Sequence, residues 1–234
     1  MKICFLGPQK SGKSSIIKVI FEDVKNHQTK NLESTLNPEI KEFTLANHFE
    51  IEITEIPGSI PVNDFVSEKD HLKLKKQDIF IYVINCQNFS PEAELEKLIE
   101  IFDITHQKNP ESWFYIFYHQ VDLQMFLDRS YQQEDYIEKN FKEHLKIKME
   151  GNENKQAEFF RTSLYEYSAH LRMSQLISKY LNRNSDIINR MLEKLQTKCM
   201  VRKVYLYDLE KKLYLFNSCE ENNIGKLYIY IYYK

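Results

Sequence analysis

Eight consecutive residues near the amino terminus have the types and spacing of a phosphate-binding loop. Residues 7–14 read Gly-Pro-Gln-Lys-Ser-Gly-Lys-Ser, which matches the pattern G-x-x-x-x-G-K-[ST]. Gly7 and Gly12 permit a tight turn and a close approach of the backbone to a phosphate. The Lys13 amine would reach the β- and γ-phosphates of a nucleotide, and the Ser14 hydroxyl would bind Mg²⁺. The motif therefore predicts a site for a nucleoside polyphosphate and a magnesium ion.

The residues around this motif have the periodicity that such a loop requires. An apolar run at residues 3–6 predicts a buried strand, and a periodic segment at residues 14–24 predicts a helix. The helix amino terminus would add its positive dipole end to the phosphate site. The alternative interpretation is a Gly/Ser turn with a solvent-exposed Lys13. The strand–loop–helix context favours the phosphate site, although we still expect the Lys13 side chain to be exposed and to contribute little packing.

The composition is that of a globular protein. The 234 residues are 42% hydrophobic and 28% charged, with a formal net charge of −2. This balance offers no electrostatic footprint for nucleic acid or an acidic membrane surface. No signal peptide or apolar span is evident, so we expect no direct membrane insertion and a cytoplasmic location with reduced thiols. The four cysteines lack metal-ligand spacing and stand at Cys4, Cys86, Cys199 and Cys219.

Strand-like and helix-like segments alternate along the chain after the first helix. Loops are predicted at residues 26–37 and 59–77. Further strands are predicted at residues 42–45, 49–56, 78–85, 113–118 and 158–162, and further helices at 91–106, 134–149 and 170–182. This alternation predicts an α/β fold with a doubly wound, mostly parallel sheet of the P-loop NTPase type. Ligands in such sheets bind at the carboxyl ends of the strands, where the motifs lie.

The last fifty residues follow a different pattern. A helix is predicted at residues 184–198, and two strands at 201–209 and 211–217 would form a hairpin. Residues 224–234, Ile-Gly-Lys-Leu-Tyr-Ile-Tyr-Ile-Tyr-Tyr-Lys, have strong β propensity. They are interpreted either as a plain edge strand or as a truncated end that is an aggregation hazard unless it is covered.

Short motifs in this order and spacing resemble those of the Rag/Gtr GTPases, a Ras-like branch of the P-loop superfamily. They are the phosphate loop, Leu-Glu-Ser-Thr at residues 32–35, Pro-Gly at 57–58, His-x-Val-Asp at 119–122 and Thr-Ser at 162–163. The first two motifs and the histidine are more similar to the RagC/RagD (Gtr-two-type) branch. The resemblance implies a Ras-like GTPase domain at residues 1–182 and a truncated, partial α+β roadblock-like dimerisation region at residues 183–234.

The resemblance also implies roles for individual residues toward GTP or GDP and Mg²⁺. Nucleotide contacts would come from Gly7, Lys10, Ser11, Gly12, Lys13, Ser14, Ser15, Thr35, Gly58, His119, Asp122 and Ser163. Thr35 would join Ser14 at the metal in the triphosphate state, together with a carboxylate at position 55. Asp122 would accept two hydrogen bonds from guanine, and this distinguishes guanine from adenine.

Three positions depart from the family pattern. Glu55 stands where the family has an aspartate that holds a metal-bound water, and its longer side chain is expected to crowd the metal. Ser59, the candidate catalytic position, replaces the glutamine that orients the attacking water and is too short for that task. Gln120 replaces a lysine beside the base. These departures predict slow intrinsic hydrolysis of GTP.

The sequence is therefore consistent with three functions. The first is a Rag-type regulatory GTPase, and the second is a hydrolysis-deficient pseudo-GTPase scaffold. The third, a P-loop enzyme that uses ATP, is disfavoured by the motif at residues 119–122. For the first, the resemblance implies a heterodimer with a RagA/RagB-type GTPase that reports amino acids to TOR complex 1. It also implies recruitment to the lysosomal or vacuolar surface through a scaffold complex.

Overall fold

A six-stranded sheet forms the centre of the molecule. The computed structural model describes residues 1–30, 32–60, 76–87, 89–120, 130–148, 157–201 and 204–217. The strand order is β2-β3-β1-β4-β5-β6, and only the edge strand β2 runs antiparallel to its neighbour. The strands are β1 (Lys2–Leu6), β2 (Glu39–Leu45), β3 (Phe49–Glu55), β4 (Ile79–Asn85), β5 (Trp113–His119) and β6 (Glu158–Thr162). This confirms the α/β, mostly parallel fold predicted from the sequence.

Helices cover both faces of the sheet, as its central strands require. They are α1 (Lys13–Phe21), α2 (Pro91–Lys108), α3 (Ser130–Lys148), α4 (Ser168–Asn184) and α5 (Asp186–Cys199). Strands β1, β4 and β5 are buried on both faces, because they consist almost entirely of aliphatic and aromatic residues. One apolar cluster joins α1 and α4 to the first face, and another joins α2 and α3 to the second. Among the described residues, no helix is long and apolar enough to span a bilayer.

Element boundaries differ from the predicted ones by a few residues. Helix α1 ends at Phe21 rather than at residue 24, because Asp23 adopts a left-handed conformation with φ of +55°. Strand β2 begins at Glu39, three residues earlier than predicted, since it pairs with β3 as far as Glu55. A short 3₁₀ helix at Asn26–Thr29 interrupts the predicted loop. Pairing with β3, and not local propensity, therefore sets the start of β2.

The predicted hairpin is present but shorter, and it packs against the main sheet's core. Strands β7 (Tyr205–Asp208) and β8 (Leu213–Asn217) are joined by residues 209–212. Leu213, Leu215 and Phe216 are fully buried in the cluster that contains α1 and α4. The Phe216 ring lies 5.4 Å from the Phe49 ring of β3, measured between centroids.

A polar contact also ties the hairpin to the sheet. The Ala46 N–H donates to Asp208 Oδ2 at 2.7 Å. The roadblock-like character of residues 183–234 stays a prediction. The Tyr-rich segment at residues 224–234 lies outside the described residues.

Candidate functional site

A cleft of about 460 Å³ lies at the carboxyl ends of the parallel strands. One wall is the phosphate loop with the start of α1, and another wall consists of Thr29, Lys30 and residues 32–35. Glu55, Pro57 and Gly58, which follow β3, close a third side. The cleft is therefore where a doubly wound sheet places its ligand.

The phosphate loop has the backbone conformation that its glycines permit. Gly7 and Gly12 have φ of +127° and +100°, a region that other residues rarely adopt. A Cβ at Gly7 would lie 2.3 Å from the Val83 carbonyl oxygen, so the loop runs directly over β4. Gly12 is also the N-cap of α1, which directs the positive end of that helix toward the cleft.

Lys13 is buried in the loop, contrary to the exposed side chain expected from the sequence. It is 5% exposed, and its Nζ donates to the carbonyl oxygens of Gly7 at 2.9 Å and Pro8 at 2.7 Å. Burial lowers the pKa of Lys13 to about 8, although the charges of Glu55 and Glu94 act to raise it. The amine is thus a partly desolvated donor placed within the loop, where a phosphate oxygen could replace the carbonyl groups as its partner.

The other predicted loop contacts also lie at the cleft. Lys10, Ser11 and Ser15 line it together with Gly12, Lys13 and Ser14. Lys10 is exposed with φ of +59°. Ser11 is fully buried, and its hydroxyl oxygen accepts from Lys13 Nζ at 3.4 Å.

The three predicted magnesium ligands come together although they are far apart in the sequence. The Ser14 hydroxyl donates to Glu55 Oε1 at 2.5 Å, and the Thr35 hydroxyl donates to the same oxygen at 3.3 Å. The two hydroxyl oxygens are 3.1 Å apart. A donor set of two hydroxyls and one carboxylate is the hard oxygen environment that Mg²⁺ prefers. The residues present therefore fit a magnesium ion beside the phosphate loop.

Gly58 and Ser59 occupy different environments. A Cβ at Gly58 would lie 2.2 Å from the Pro8 carbonyl carbon and the Gln9 nitrogen, so its backbone lies against the phosphate loop. Ser59 is exposed and is not among the residues that line the cleft. Gly58 therefore contacts the phosphate loop, whereas Ser59 does not line the cleft.

His119 lies beneath the phosphate loop rather than on the cleft wall. It is 2% exposed, and its Nδ1 is 3.0 Å from the Thr162 hydroxyl oxygen. A Cβ at Gly12 would come within 2.4 Å of His119 Cδ2, so the ring supports the end of the loop. Burial lowers the pKa of His119 to about 4, so the ring is neutral near pH 7. His119 therefore positions the loop through packing.

The predicted base-binding residues are only partly described. Ser163 is buried after β6, and its N–H donates to the Ser168 hydroxyl oxygen at 2.7 Å. Gln120 lines the cleft with φ of +62°. Asp122 lies outside the described residues, and its contact with guanine stays a prediction.

Two side chains at the site were not singled out from the sequence. Asn85 ends β4, lines the cleft and donates from Nδ2 to the Lys10 carbonyl oxygen at 3.1 Å. Its position at the carboxyl end of a buried strand could have identified Asn85 from the sequence, because ligands bind at these ends in parallel sheets. Asn26 donates from Nδ2 to the Leu164 carbonyl oxygen at 2.5 Å and joins the 3₁₀ helix Asn26–Thr29, which leads to the cleft, to the loop after β6. No sequence signal marked that contact, because the two residues are 138 positions apart.

Known proteins resemble this chain in both sequence and fold. GTP-binding protein GTR2 of Saccharomyces cerevisiae is 28% identical over 91% of this chain and 60% of the relative. Ras-related GTP-binding protein C of Homo sapiens is 25% identical over 92% of this chain and 52% of the relative. The mammalian SRP receptor structure has a TM-score of 0.52 and 15% identity over 74% of this chain and 99% of that chain, which supports the fold alone.

A family sequence model matches almost the whole chain. The model describes the Gtr1/RagA G protein conserved region and matches residues 2–230. The relatives named above also bear out the similarity to the RagC/RagD branch. The chain spans between half and two thirds of their length. The chain therefore belongs to the Gtr1/RagA family of G proteins.

Proposed function

We propose that this chain is a guanine-nucleotide-binding switch of the Rag type that hydrolyses GTP to GDP and phosphate. The observation that carries the proposal is the convergence of Ser14, Thr35 and Glu55 beside a phosphate loop. A loop that only formed a structural turn would not need two hydroxyls and a carboxylate from three separate segments. Membership of a G protein family supports the same function.

The residues of the cleft would share the work of binding and sensing the nucleotide. The loop N–H groups and the Lys13 amine would bind the phosphates, with the amine leaving the Gly7 and Pro8 carbonyl oxygens. Bound Mg²⁺ would neutralise phosphate charge. The Thr35 hydroxyl and the Gly58 N–H would report the γ-phosphate to their two segments, so that loss of this phosphate releases both.

Hydrolysis is proposed to be slow. Water attack on the γ-phosphate is normally assisted by a side chain that orients the water. Ser59 stands at that position, is too short for the task and lies outside the cleft lining. Intrinsic rates of Ras-like proteins are about 10⁻⁴ s⁻¹ even with the usual glutamine. We therefore propose that a regulator supplies the missing transition-state contact.

The partners are proposed from the family. The chain would form a heterodimer with a RagA/RagB-type GTPase and act in amino-acid signalling to TOR complex 1. A scaffold complex would hold the dimer at the lysosomal or vacuolar membrane surface. Helix α5 offers an apolar contact surface, because Ile187 and Met191 are 72% and 60% exposed.

The first experiment is to measure the nucleotide content and selectivity of the purified chain, alone and co-expressed with a RagA/RagB-type partner. We expect bound GDP or GTP and a slow single-turnover rate. Lys13→Ala should lose the nucleotide, because the Lys13 amine would supply a positive charge at the phosphates. Absence of guanine nucleotide from the parent, or unchanged affinity in Lys13→Ala, would refute the proposal.

Base selectivity has a separate test at Asp122. Asp122→Asn should weaken guanine binding and favour xanthine, because the amide donates where the carboxylate accepted. Displacement of a bound fluorescent nucleotide by GDP and by XDP measures the relative affinities of the parent and the variant for the two bases. An unchanged preference would remove Asp122 from the base site and leave the phosphate site standing.

A further inference from the structure

The Glu55 carboxylate contacts both of the hydroxyls that are candidate magnesium ligands. Its Oε1 is 2.5 Å from Ser14 Oγ and 3.3 Å from Thr35 Oγ1, and the third side of this triangle is 3.1 Å. No water fits between oxygens at these distances. The Glu55 carboxylate therefore lies in direct contact with both candidate ligands.

The triangle has the size of one face of a magnesium coordination shell. Octahedral Mg²⁺ binds oxygen at about 2.0–2.1 Å, so neighbouring ligand oxygens are about 2.9 Å apart. The three observed sides, 2.5, 3.1 and 3.3 Å, scatter around that length. One cation can therefore contact all three oxygens with small adjustments.

The backbone at Glu55 is held in place, so its side-chain length decides its reach. Glu55 ends β3 and pairs with Phe5 of β1, and the next N–H, that of Ile56, donates to the Phe5 carbonyl oxygen at 3.0 Å. The side chain is 4% exposed. An aspartate on the same backbone would hold its carboxylate one methylene farther from the hydroxyls, and that gap suits an intervening water.

We propose that the Glu55 carboxylate binds the divalent cation directly and, with the Ser14 and Thr35 hydroxyls, occupies one face of its coordination shell. This inference rests on the proposed nucleotide function. The carboxylate takes the place of a metal-bound water and adds one negative charge to the shell. The cation is then held more firmly and has fewer bound waters than with an aspartate at this position.

Counting the waters on a bound Mn²⁺ tests the proposal. The full chain is loaded with Mn²⁺ and the non-hydrolysable β,γ-imido analogue of GTP, and electron paramagnetic resonance line broadening in ¹⁷O-enriched water gives the number of waters. An octahedral ion with two hydroxyls, two phosphate oxygens and Glu55 keeps a single water. Glu55→Asp should gain one water and release Mn²⁺ faster. Glu50→Asp, the same change at an exposed position of β3, is the matched control and should resemble the parent.

The possible results separate this inference from the proposed function. Two waters in the parent, or equal counts in the parent and Glu55→Asp, would overturn the direct contact and leave nucleotide binding intact. The absolute count in the parent decides the matter even if Glu55→Asp does not fold. A Mn²⁺ signal that does not depend on the nucleotide would overturn both.

Discussion

At the residue scale, His119 illustrates how burial changes the role of a motif residue. Its ring is 2% exposed, lies 3.0 Å from the Thr162 hydroxyl and would collide with any side chain at Gly12. Burial favours a neutral ring, because protonation would place a charge in the protein interior, although the hydrogen bond with Thr162 acts to raise the pKa. The histidine of the motif thus supports the loop and is sensitive to acid.

The lowered pKa of His119 predicts an acid-sensitive free energy of unfolding. The pKa is about 4 in the folded state against an ordinary value of 6.5, so the unfolded chain binds more protons between these values. The contribution of the neutral ring to the free energy of unfolding is fully present above pH 6.5 and is lost as the pH falls toward 4. This difference in pKa corresponds to about 3 kcal/mol in the free energy of unfolding. Urea unfolding of the nucleotide-free chain between pH 4 and 7.5 measures it.

His119→Asn is the control, because asparagine can still bond Thr162 but does not titrate. The parent should lose about 3 kcal/mol more than this variant over the same pH range. Buried His170, whose pKa is also lowered by burial, is present in both proteins and cancels in the difference. Equal pH slopes would contradict the prediction.

At the element scale, the phosphate loop packs against the end of β5 at Gly12. Gly12 has a left-handed φ of +100°. A Cβ at this position would lie only 2.4 Å from His119 Cδ2, so a side chain here would clash with the ring. The end of β5 therefore limits the space that is open to a side chain at position 12 of the loop. Lys13 and Ser14 follow Gly12 as the first residues of α1.

Gly12→Ala should destabilise the chain by about 2–4 kcal/mol, from backbone strain and from the clash with His119. His119→Ala should relieve the clash but not the strain. The double variant should therefore be more stable than the sum of the single effects by about 1 kcal/mol or more. A double-mutant cycle in urea measures this coupling. Additive changes in the free energy of unfolding would show that the ring does not limit position 12. The control cycle pairs Gly12→Ala with Thr44→Ala on the exposed edge strand β2, and its two effects should be additive.

At the scale of the whole molecule, the carboxyl-terminal hairpin and the sheet share one hydrophobic core. Phe216 is fully buried against Phe49, and the Asp208 carboxylate accepts the Ala46 N–H. Covering the first face of the sheet thus requires residues beyond α4. We infer that the described hairpin contributes to the stability of the nucleotide site as well as to its own.

Phe216→Ala should lower the free energy of unfolding of the entire sheet by about 3–5 kcal/mol, because it leaves a cavity in this shared core. Trp113, the only tryptophan, lies on β5 and reports the sheet by fluorescence. Its transition should shift together with the far-ultraviolet circular dichroism transition. Leu209→Ala, at an exposed position of the same hairpin, should change little. An unchanged Trp113 transition in Phe216→Ala would mean that the hairpin unfolds separately.

The sequence by itself determined the features that are encoded locally. Residues 7–14 carry the complete phosphate-binding pattern, and the apolar runs at β1, β4 and β5 have the length and composition of buried parallel strands. Strand and helix periodicity depends on neighbours within about ten residues. The fold class could therefore be predicted without coordinates. The phosphate-loop pattern indicated Ser14 as a metal ligand, and the family resemblance indicated Thr35 and Glu55.

Only the tertiary structure decided how those residues meet. Ser14, Thr35 and Glu55 come from three segments, and the distances among their oxygens depend on where β3 pairs with β1. The burial of Lys13, the support of Gly12 by His119 and the insertion of the hairpin into the core have the same origin. Such distances and burial arise from contacts between residues far apart in the chain. Local periodicity contains no information about those contacts, because it indicates which residues of a segment share an apolar face but not which other segment packs against that face.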